Sequence, residues 1–468
     1  MAYSLYEKLT DYRYKDMTPF HMPGHMRNPD FASWGFPFEM DITEIDGFDN
    51  LHHARGILME SQERLSRLYG SRSSYYLVNG STAGILASIS ACVQKNGHIL
   101  MARNCHKSAF HAVYLRDLHS EYIMPEPAGR YRIHGDIRPE EVRRMLEICP
   151  KAEAVFITSP TYDGVVSDIG NIACAVHEKG LPLIVDEAHG AHLIFSGYFP
   201  SSAVQEGADL VIQSFHKTLP SLTQSAVLHV CSDRIDRNNL ERFLGMYQTS
   251  SPSYILMAGM DRCVRFLEEE GEAAFALYTQ RLHRAREALA SNSILSLIEP
   301  QHCHAYDRSK ILLSAPGKVG GPRLAGALRE RFRIEVEMEA VGYVLALSSV
   351  GNRDKDFERL ISAVKDLDAE WDPSGQDMFF ESRRSVVPEA VMTIAQAMEK
   401  PAKEMPLSDS GGHISKEFVW IYPPGIPLIA PGERISSQVI GQLENARRSG
   451  LELQGLSDRS GLHIKVVG

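Results

Sequence analysis

Short apolar runs rich in β-branched and aromatic residues alternate with stretches of helical periodicity between about Ser74 and His229. A polar or glycine-containing tip separates each run from the helical stretch that follows it. This alternation favours an α/β fold with a mostly parallel sheet, because parallel strands need long crossover connections. The predicted strands are SSYYLV, HILMA, AEAVFITS, LPLIVDE and DLVIQS, and helices or helix-rich connections are predicted after Ser81, Lys107, Asp168 and Ala191.

The remaining sequence predicts two smaller units, so that the 468 residues divide into three domains. Residues 1–260 are predicted to form an N-terminal arm and the major α/β domain. Residues 261–370 begin with a long connecting helix, and alternation of KILLSA and YVLALSS with PRLAGALRERF then predicts a small α+β domain. Residues 371–468 open on the predicted linker WDPSGQ and are expected to form a small C-terminal domain.

Composition excludes several classes of protein. The sequence is 44% hydrophobic and 23% charged, which is typical of globular proteins and excludes disordered and collagen-like chains. The net charge of −10 argues against a nucleic-acid partner. Without a signal-peptide pattern or a run long enough to span a bilayer, we expect a cytoplasmic protein with no membrane partner. Seven cysteines without a CxxC pair are expected to be reduced thiols.

Reactive side chains follow the predicted strands, at the sheet edge where α/β proteins bind ligands. The first of these tips, NGSTAG, combines Gly80 with the hydroxyls of Ser81 and Thr82 at a strand-to-helix turn. Free N–H groups and the helix dipole favour an anion there, and we expect a phosphate group to bind. Ordinary helix capping by the two hydroxyls is the competing interpretation.

Two further tips provide a carboxylate and an amine. Asp186 ends an apolar strand, so that its carboxylate needs a cationic partner, unless it serves as a helix cap or in a structural ion pair. Lys217 lies 31 positions further on, after Ser214 and His216, and a buried amine can form an imine with an aldehyde.

His106, at another tip, is either a core histidine or a flat ring that covers a cofactor. An anion site, a buried carboxylate, a strand-end lysine and a histidine together meet the requirements of pyridoxal 5'-phosphate (PLP). In this interpretation Ser81, Thr82 and Ser214 hold the phosphate and Asp186 keeps the pyridine nitrogen protonated.

The sequence resembles the Orn/Lys/Arg decarboxylase family of fold-type-I PLP enzymes over almost its whole length. It is similar to the shorter bacterial form, which lacks an N-terminal wing domain, and most of all to arginine decarboxylases. The segments that carry the resemblance are FHMPGH, DNLHHARG, NGSTAG, ARNCHKS, SPTYDGVVSDI, VDEAHGAH, SFHKTLPSLTQS and YPPGIPLIAPGE.

The resemblance implies a role for each matching residue. Lys217 would be the Schiff-base lysine, His106 would stack on the cofactor ring, Asp186 would pair with the pyridine nitrogen and Ala188 would pack against the opposite ring face. Ser214 and His216 belong to the family's S-x-H-K signature. The implied reaction is decarboxylation of a basic amino acid, with arginine ahead of lysine and ornithine, and the proton donor to the α-carbon is either Lys217 or a nearby histidine.

The resemblance also implies a homodimer, in which FHMPGH and DNLHHARG help to close the active site across the subunit interface. For the substrate's distal cation, Glu433 in the PGE segment is the candidate acceptor, and a solvent-facing loop carboxylate is the alternative. The sequence departs from the family pattern in two segments: Met26 stands where a lysine is common, and Thr218–Pro220 replaces a glycine-rich continuation.

Two other functions remain open at this stage. An aminotransferase of the same fold would release a keto acid instead of an amine and CO₂. A metal-binding or regulatory protein could use the histidine-rich segments, although their spacing matches no recognised zinc site and we expect no metal. The histidines concerned are His21, His25, His52, His53, His189 and His192.

Overall fold

The computed structural model describes residues 4–15, 17–128, 133–314, 320–371, 388–421, 426–448 and 453–468. Positions 372–376 of the predicted linker and 422–425 of the C-terminal loop lie outside these ranges. The strands are β1 (Ser73–Leu77), β2 (His98–Ala102), β3 (His119–Ile123), β4 (Ala152–Thr158), β5 (Val165–Val166), β6 (Leu183–Asp186), β7 (Leu210–Gln213), β8 (Ala226–Val230), β9 (Leu297–Ile298), β10 (Ala305–Tyr306), β11 (Lys310–Ser314), β12 (Met338–Glu339), β13 (Tyr343–Leu347), β14 (Ala402–Pro406), β15 (Val419–Ile421), β16 (Ile426–Ile429), β17 (Leu453–Gln454) and β18 (His463–Val467).

The α-helices are α1 (Leu5–Arg13), α2 (Ile57–Tyr69), α3 (Gly80–Cys92), α4 (Lys107–Arg116), α5 (Pro139–Ile148), α6 (Ile169–His177), α7 (Phe215–Thr218), α8 (Arg237–Tyr247), α9 (Tyr254–Glu269), α10 (Gly271–Ala290), α11 (Gly320–Phe332), α12 (Asp354–Glu370), α13 (Ile394–Glu399) and α14 (Ser437–Arg448). Within the described ranges, no helix combines the length and the apolar composition that crossing a membrane requires.

A seven-stranded sheet in the order β1-β8-β7-β6-β4-β2-β3 forms the major domain. The pairs from β7 through β3 are parallel, and β8 is antiparallel to both of its neighbours. β6, β7 and β8 are buried along their whole length, as expected for strands covered by helices on both faces. The predicted α/β class with a mostly parallel sheet is therefore confirmed.

All five predicted strands belong to this sheet, as β1, β2, β4, β6 and β7, whereas β3 and β8 were not predicted. β3 is only partly buried at an edge and therefore lacks a continuous apolar run. The helix or helix-rich connection predicted after Ala191 contains a single 3-10 turn, Leu193–Phe195. The predicted connecting helix is two helices, since α9 ends at Glu269 and α10 begins at Gly271.

The small α+β unit is a four-stranded sheet in the order β12-β13-β11-β9, on which α11 lies, and α12 packs against α10 and α11. The last part of the chain has two small sheets, β14-β18 and β16-β15-β17. Its own apolar cluster includes Val419, Ile429, Leu443 and Val466. These elements lie in the predicted second and third units, although the exact domain boundaries stay predictions.

Candidate active site

The carboxyl ends of β1, β2, β4, β6 and β7 meet at one edge of the large sheet. β1 lies there too, because it is antiparallel to β8, which is itself antiparallel to β7. Its last residue, Leu77, faces Ala226 of β8, and the next residue of β8, Val227, faces Gln213 at the end of β7. Tips that are far apart in sequence therefore face a common region.

Lys217 lies in α7, the one-turn helix that directly follows β7 and has Ser214 as its N-cap. Its Nζ is 3.0 Å from Nε2 of His189, which follows β6. Burial lowers the pKa of Lys217, and the negative charge of Asp186 opposes this shift. An amine in this setting is biased towards its neutral, nucleophilic form.

Asp186, the last residue of β6, is only 3% exposed. Its Oδ1 accepts a hydrogen bond from the N–H of Ala188 (3.1 Å), the one bond that its carboxylate makes within the described residues. Burial raises the pKa of Asp186, and the charge of Lys217 opposes this shift. A buried carboxylate with so few donors remains available to a cationic partner.

The imidazole of His189 is buried, and its Nδ1 has no hydrogen-bond partner in the described part of the chain. Burial lowers the pKa of His189 well below its usual range, and the positive charges of Lys217 and Lys310 add to this effect. The ring is therefore neutral. Nε2 can accept a hydrogen bond from the Lys217 amine when the ring proton lies on Nδ1.

His106 is the N-cap of α4, and its Nδ1 lies 2.8 Å from Oγ of Ser108. Burial lowers the pKa of His106 to about 4, and the charge of Lys217 contributes to the shift. The tip after β2 therefore presents a fixed, uncharged, flat ring.

The turn between β1 and α3 has the properties of an anion site. Gly80 adopts φ +71°, a conformation that glycine reaches without strain, and the Oγ atoms of Ser81 and Ser214 are 2.7 Å apart. The amide oxygen of Asn79, the N-cap of α3, accepts a hydrogen bond from the N–H of Thr249 (3.1 Å). Amides of the first helical turn therefore remain available for an anion.

Two models of protein families match this chain. Residues 4–319 match the model of the Orn/Lys/Arg decarboxylase major domain, and residues 375–464 match that of the C-terminal domain. The chain belongs to the Orn/Lys/Arg decarboxylase family. The family prediction from the sequence motifs is therefore confirmed.

Relatives match this decarboxylase-family chain over nearly its full length. It is 33% identical to the uncharacterised protein YaaO of Bacillus subtilis, over 96% of this chain and 95% of that protein. It is 30% identical to an arginine decarboxylase of the same organism, over 99% of this chain and 97% of the relative.

The fold is that of known PLP enzymes. A lysine decarboxylase of Francisella novicida superposes with a TM-score of 0.85 at 21% identity, covering 100% of this chain and 81% of that one. A serine palmitoyltransferase of Sphingomonas wittichii shares the fold more distantly, with a TM-score of 0.55 at 15% identity over 69% of this chain and 81% of that one.

The residues at the strand ends fit PLP. The carboxylate of Asp186 is buried with one backbone donor, which suits a protonated ring nitrogen, and the amine of Lys217 is depressed in pKa, which suits an aldehyde. Ala188 ties these tips together, because its N–H binds Asp186 and its carbonyl accepts from the N–H of Ser214. The anion turn at Ser81 completes the set of partners that PLP needs.

His216 has a different environment from its neighbour Lys217. Its Nδ1 is 2.8 Å from the backbone oxygen of Ser225, to which it donates. This bond anchors α7 to the segment before β8. The chemical role assigned to His216 from the sequence stays a prediction.

Glu433 is paired within the protein. It is 2% exposed, and its Oε2 lies 3.1 Å from Nη2 of Arg103 and accepts from the N–H of Ala430 (2.7 Å). Arg103 thus pairs with this buried carboxylate through Oε2, whereas Oε1 has no hydrogen-bond partner in the described part of the chain. The expected role of Glu433 as acceptor of the substrate's distal cation stays a prediction.

Glu337 was not singled out in the sequence, yet it lies near Lys217, whose pKa its charge raises. Its carboxylate is exposed, and Oε1 accepts from the hydroxyl of Tyr162 (2.5 Å). The Tyr162 ring is edge-on to His189, with centroids 4.7 Å apart. No local sequence signal points to Glu337, because only the packing of the small domain brings it to the tips.

Three of the histidines considered for metal binding contact a carboxylate or a backbone carbonyl. His25 lies 3.3 Å from Asp41, His52 lies 2.8 Å from the carbonyl of Thr249, and His192 pairs with Asp307. Across the described ranges, no group of three or more His, Cys, Asp or Glu side chains could hold a metal ion.

Proposed function

We propose that this protein decarboxylates a basic L-amino acid with PLP, preferring arginine over lysine and ornithine, and releases the corresponding amine and CO₂. The observation that carries the proposal is the contact of the Lys217 amine with His189 beside the buried carboxylate of Asp186. Membership of the decarboxylase family and relatives named arginine decarboxylase support the reaction and the order of substrates.

Each part of the cofactor has a proposed partner. Lys217 holds it covalently, Asp186 faces its ring nitrogen, and His106 and Ala188 cover its two faces. The phosphate is held by the turn after β1 together with the signature residues before Lys217, namely Gly80, Ser81, Thr82, Ser214 and His216. When bound, PLP supplies an electron sink for the pair left behind as CO₂ departs.

The protein's own groups control charge and protons around this sink. Asp186 stays ionised when it faces a cation, and its negative charge favours a protonated ring nitrogen. Neutral His106 covers the ring without adding a competing charge. The amine of Lys217 is our candidate to deliver a proton to the α-carbon, and Nε2 of His189, 3.0 Å away, would orient it by accepting a hydrogen bond. A nearby histidine as the donor is the alternative.

We assign the substrate's distal cation to Glu337. Its carboxylate is exposed at the site and is oriented by Tyr162, which in turn packs on His189. A carboxylate can bind a guanidinium with two parallel hydrogen bonds, a geometry that favours arginine over an ammonium. In this arrangement the two ends of the substrate are bound by different domains.

We further infer a homodimer or larger homo-oligomer with its active sites at the subunit interface. The FHMPGH segment exposes Phe20 (94%) and Met22 (66%), which suits burial against a second copy. A cytoplasmic location and a role in polyamine biosynthesis are consistent with decarboxylation of a basic amino acid, and acid defence is the alternative role.

Product analysis tests the proposed reaction. The holoenzyme is incubated with arginine, lysine and ornithine in competition, and agmatine, cadaverine, putrescine and CO₂ are measured. We expect agmatine to dominate with an equal yield of CO₂. A keto acid together with a pyridoxamine form of the cofactor would support the aminotransferase alternative.

A further inference from the structure

Tyr162 lies in the turn that connects β4 to β5, at the sheet edge that carries Lys217. Hydrogen bonds within the turn hold its backbone. The N–H of Thr161 donates to the carbonyl of Val165 (2.8 Å), and the N–H of Val165 donates to Oγ1 of Thr161 (3.0 Å). Since β5 also pairs with β10, the segment that carries Tyr162 is held between the two domains.

Two tyrosine–carboxylate hydrogen bonds join this turn to the small domain. The hydroxyl of Tyr162 donates to Oε1 of Glu337 (2.5 Å), and the N–H of Glu337 is bound to the carbonyl of Leu345 in β13 (2.9 Å). In the opposite direction, the hydroxyl of Tyr343 donates to Oδ1 of the buried Asp163 (2.7 Å), the residue after Tyr162. The packing of the small domain therefore determines where the ring of Tyr162 lies.

The imidazole of His189 needs a neighbour that fixes its orientation. Its Nε2 is 3.0 Å from Nζ of Lys217, whereas its Nδ1 has no hydrogen-bond partner in the described part of the chain. A half-turn about the Cβ–Cγ bond would exchange Nε2 with Cε1 and break the contact with Lys217. Hydrogen bonding at Nδ1 does not oppose this rotation, so packing against the ring has to do so.

The ring of Tyr162 supplies such packing. Its centroid lies 4.7 Å from that of His189 and the two ring planes meet at 62°, an edge-to-face arrangement that aromatic pairs favour. To rotate, the imidazole would have to displace a ring whose hydroxyl is bound to Glu337. Direct contacts thus lead from the small domain through Tyr162 and His189 to the amine of Lys217.

We propose that Tyr162 is a positioning residue for the reaction, whose ring holds the His189 imidazole so that Nε2 faces the amine of Lys217. Its hydroxyl anchors this ring to the small domain. The inference rests on the proposed function, in which His189 orients the Lys217 amine for proton delivery. In the alternative, Tyr162 only fastens the two domains together and has no influence on His189.

The first test observes the His189 ring itself. Ring ¹⁵N–¹H correlation NMR of the histidine-labelled full-length protein reports the tautomer, and the signal missing from His189→Ala assigns it. Tyr162→Phe keeps the ring and removes the hydroxyl, whereas Tyr162→Leu removes both. We expect wild type and Tyr162→Phe to show one tautomer, protonated at Nδ1. Tyr162→Leu should show nitrogen shifts averaged between the two tautomers, because the ring is free to rotate.

Steady-state kinetics of the holoenzyme separate the ring from the hydroxyl. We expect Tyr162→Leu to lower kcat by roughly tenfold or more, because a misplaced imidazole no longer orients the proton donor. Tyr162→Phe should keep kcat within about twofold and raise KM for arginine about three- to tenfold, since Glu337 loses the donor that orients it. Tyr75→Leu is the matched control, because Tyr75 is another partly buried tyrosine bound to a glutamate, Glu241 (2.7 Å), and it should change neither constant.

A double-mutant cycle shows whether Tyr162 acts through His189. His189→Ala removes the ring that Tyr162 holds, so the addition of Tyr162→Leu should lower kcat no further. Losses that multiply in the double variant would favour the fastening role and overturn the inference. A wild-type His189 signal in Tyr162→Leu would overturn it as well. Tyr162→Met, which also lacks a flat ring, replaces Tyr162→Leu if that variant fails to fold.

Failure of this inference can be told apart from failure of the proposed function. A wild-type protein that gains no visible absorbance with PLP and releases no amine would refute the proposed function. An active wild-type protein whose Tyr162 variants retain its kcat and its His189 signal would overturn only the role of Tyr162.

Discussion

The chemistry of this site depends on ionisable side chains placed where water cannot solvate them. Burial raises the pKa of Asp186 and lowers those of Lys217, His189 and His106. Each shift favours the uncharged form, and the mutual attraction of Asp186 and Lys217 opposes it. The cluster therefore favours a partner that supplies both a cationic ring nitrogen and an aldehyde.

Replacement of Lys217 by alanine tests the covalent attachment. We expect Lys217→Ala to lose the visible absorbance of the lysine-linked cofactor and to lose activity together with it, because no other amine replaces the bond. Absorbance spectra and product assays measure the two properties. Lys179→Ala, which removes an exposed lysine paired with Glu147, is the control and should retain both. Visible absorbance retained by Lys217→Ala would refute the assignment.

Replacement of Glu337 by glutamine tests the distal-cation site. We expect KM for arginine to rise by about 10- to 100-fold, the loss of one charge-assisted hydrogen-bonding group, while the visible absorbance stays unchanged. Steady-state kinetics and spectra provide the readouts. Glu335→Gln is the matched control two positions away, since Glu335 pairs with Arg329 on the surface. An unchanged KM would exclude Glu337 as the acceptor.

At the scale of elements, Arg103 connects the segment that follows β2 to the C-terminal unit. The guanidinium of Arg103 lies over the neighbouring rings of Phe110 and Tyr122, 5.3 and 5.1 Å from their centroids. It donates to the carbonyl of Pro427 (2.8 Å) and pairs with Glu433. Because His106 follows three residues later, this contact also supports the tip that carries the proposed ring-stacking histidine.

We therefore expect removal of Glu433 to lower the stability of the fold more than it lowers the affinity for substrate. We expect Glu433→Ala to lower the free energy of unfolding by about 3 kcal/mol, because it leaves the Arg103 charge buried and unpaired. Thermal and denaturant unfolding measure the loss. Glu389→Ala breaks the exposed pair with Arg434 and should cost less than about 1 kcal/mol. A higher KM with unchanged stability would instead favour the substrate role predicted from the sequence.

At the scale of the whole molecule, the N-terminal arm bears large apolar side chains that face solvent in one subunit. Phe20 and Met22 lie in the same FHMPGH segment that carries the family resemblance. Exposed side chains of this size in a continuous segment mark an interaction surface. A second copy is the partner that the proposed interfacial active site requires.

Charge introduced into this segment tests the assembly. We expect Phe20→Asp with Met22→Asp to weaken self-association at least about tenfold, because the carboxylates would be desolvated at the interface. Sedimentation or mass photometry over a concentration series measures the change. Leu462→Asp alters an exposed leucine near the C-terminus and serves as the control. An unchanged oligomeric state in the arm variant would place the interface elsewhere.

The sequence by itself determined five of the seven strands of the large sheet and the residue types at their tips. Buried strands must be apolar, whereas the tips that follow them need not be. Strands and tips can therefore be told apart in the sequence. The candidate residues Lys217, Asp186, His106 and Ser81 were found in this way at the tips. Their partners come from distant segments. His189 contacts Lys217 across 28 positions, Arg103 contacts Glu433 across 330, and Glu337 of the small domain contacts Tyr162. Only the tertiary structure decided these contacts, because they depend on how whole domains pack, and packing leaves no local pattern in the sequence.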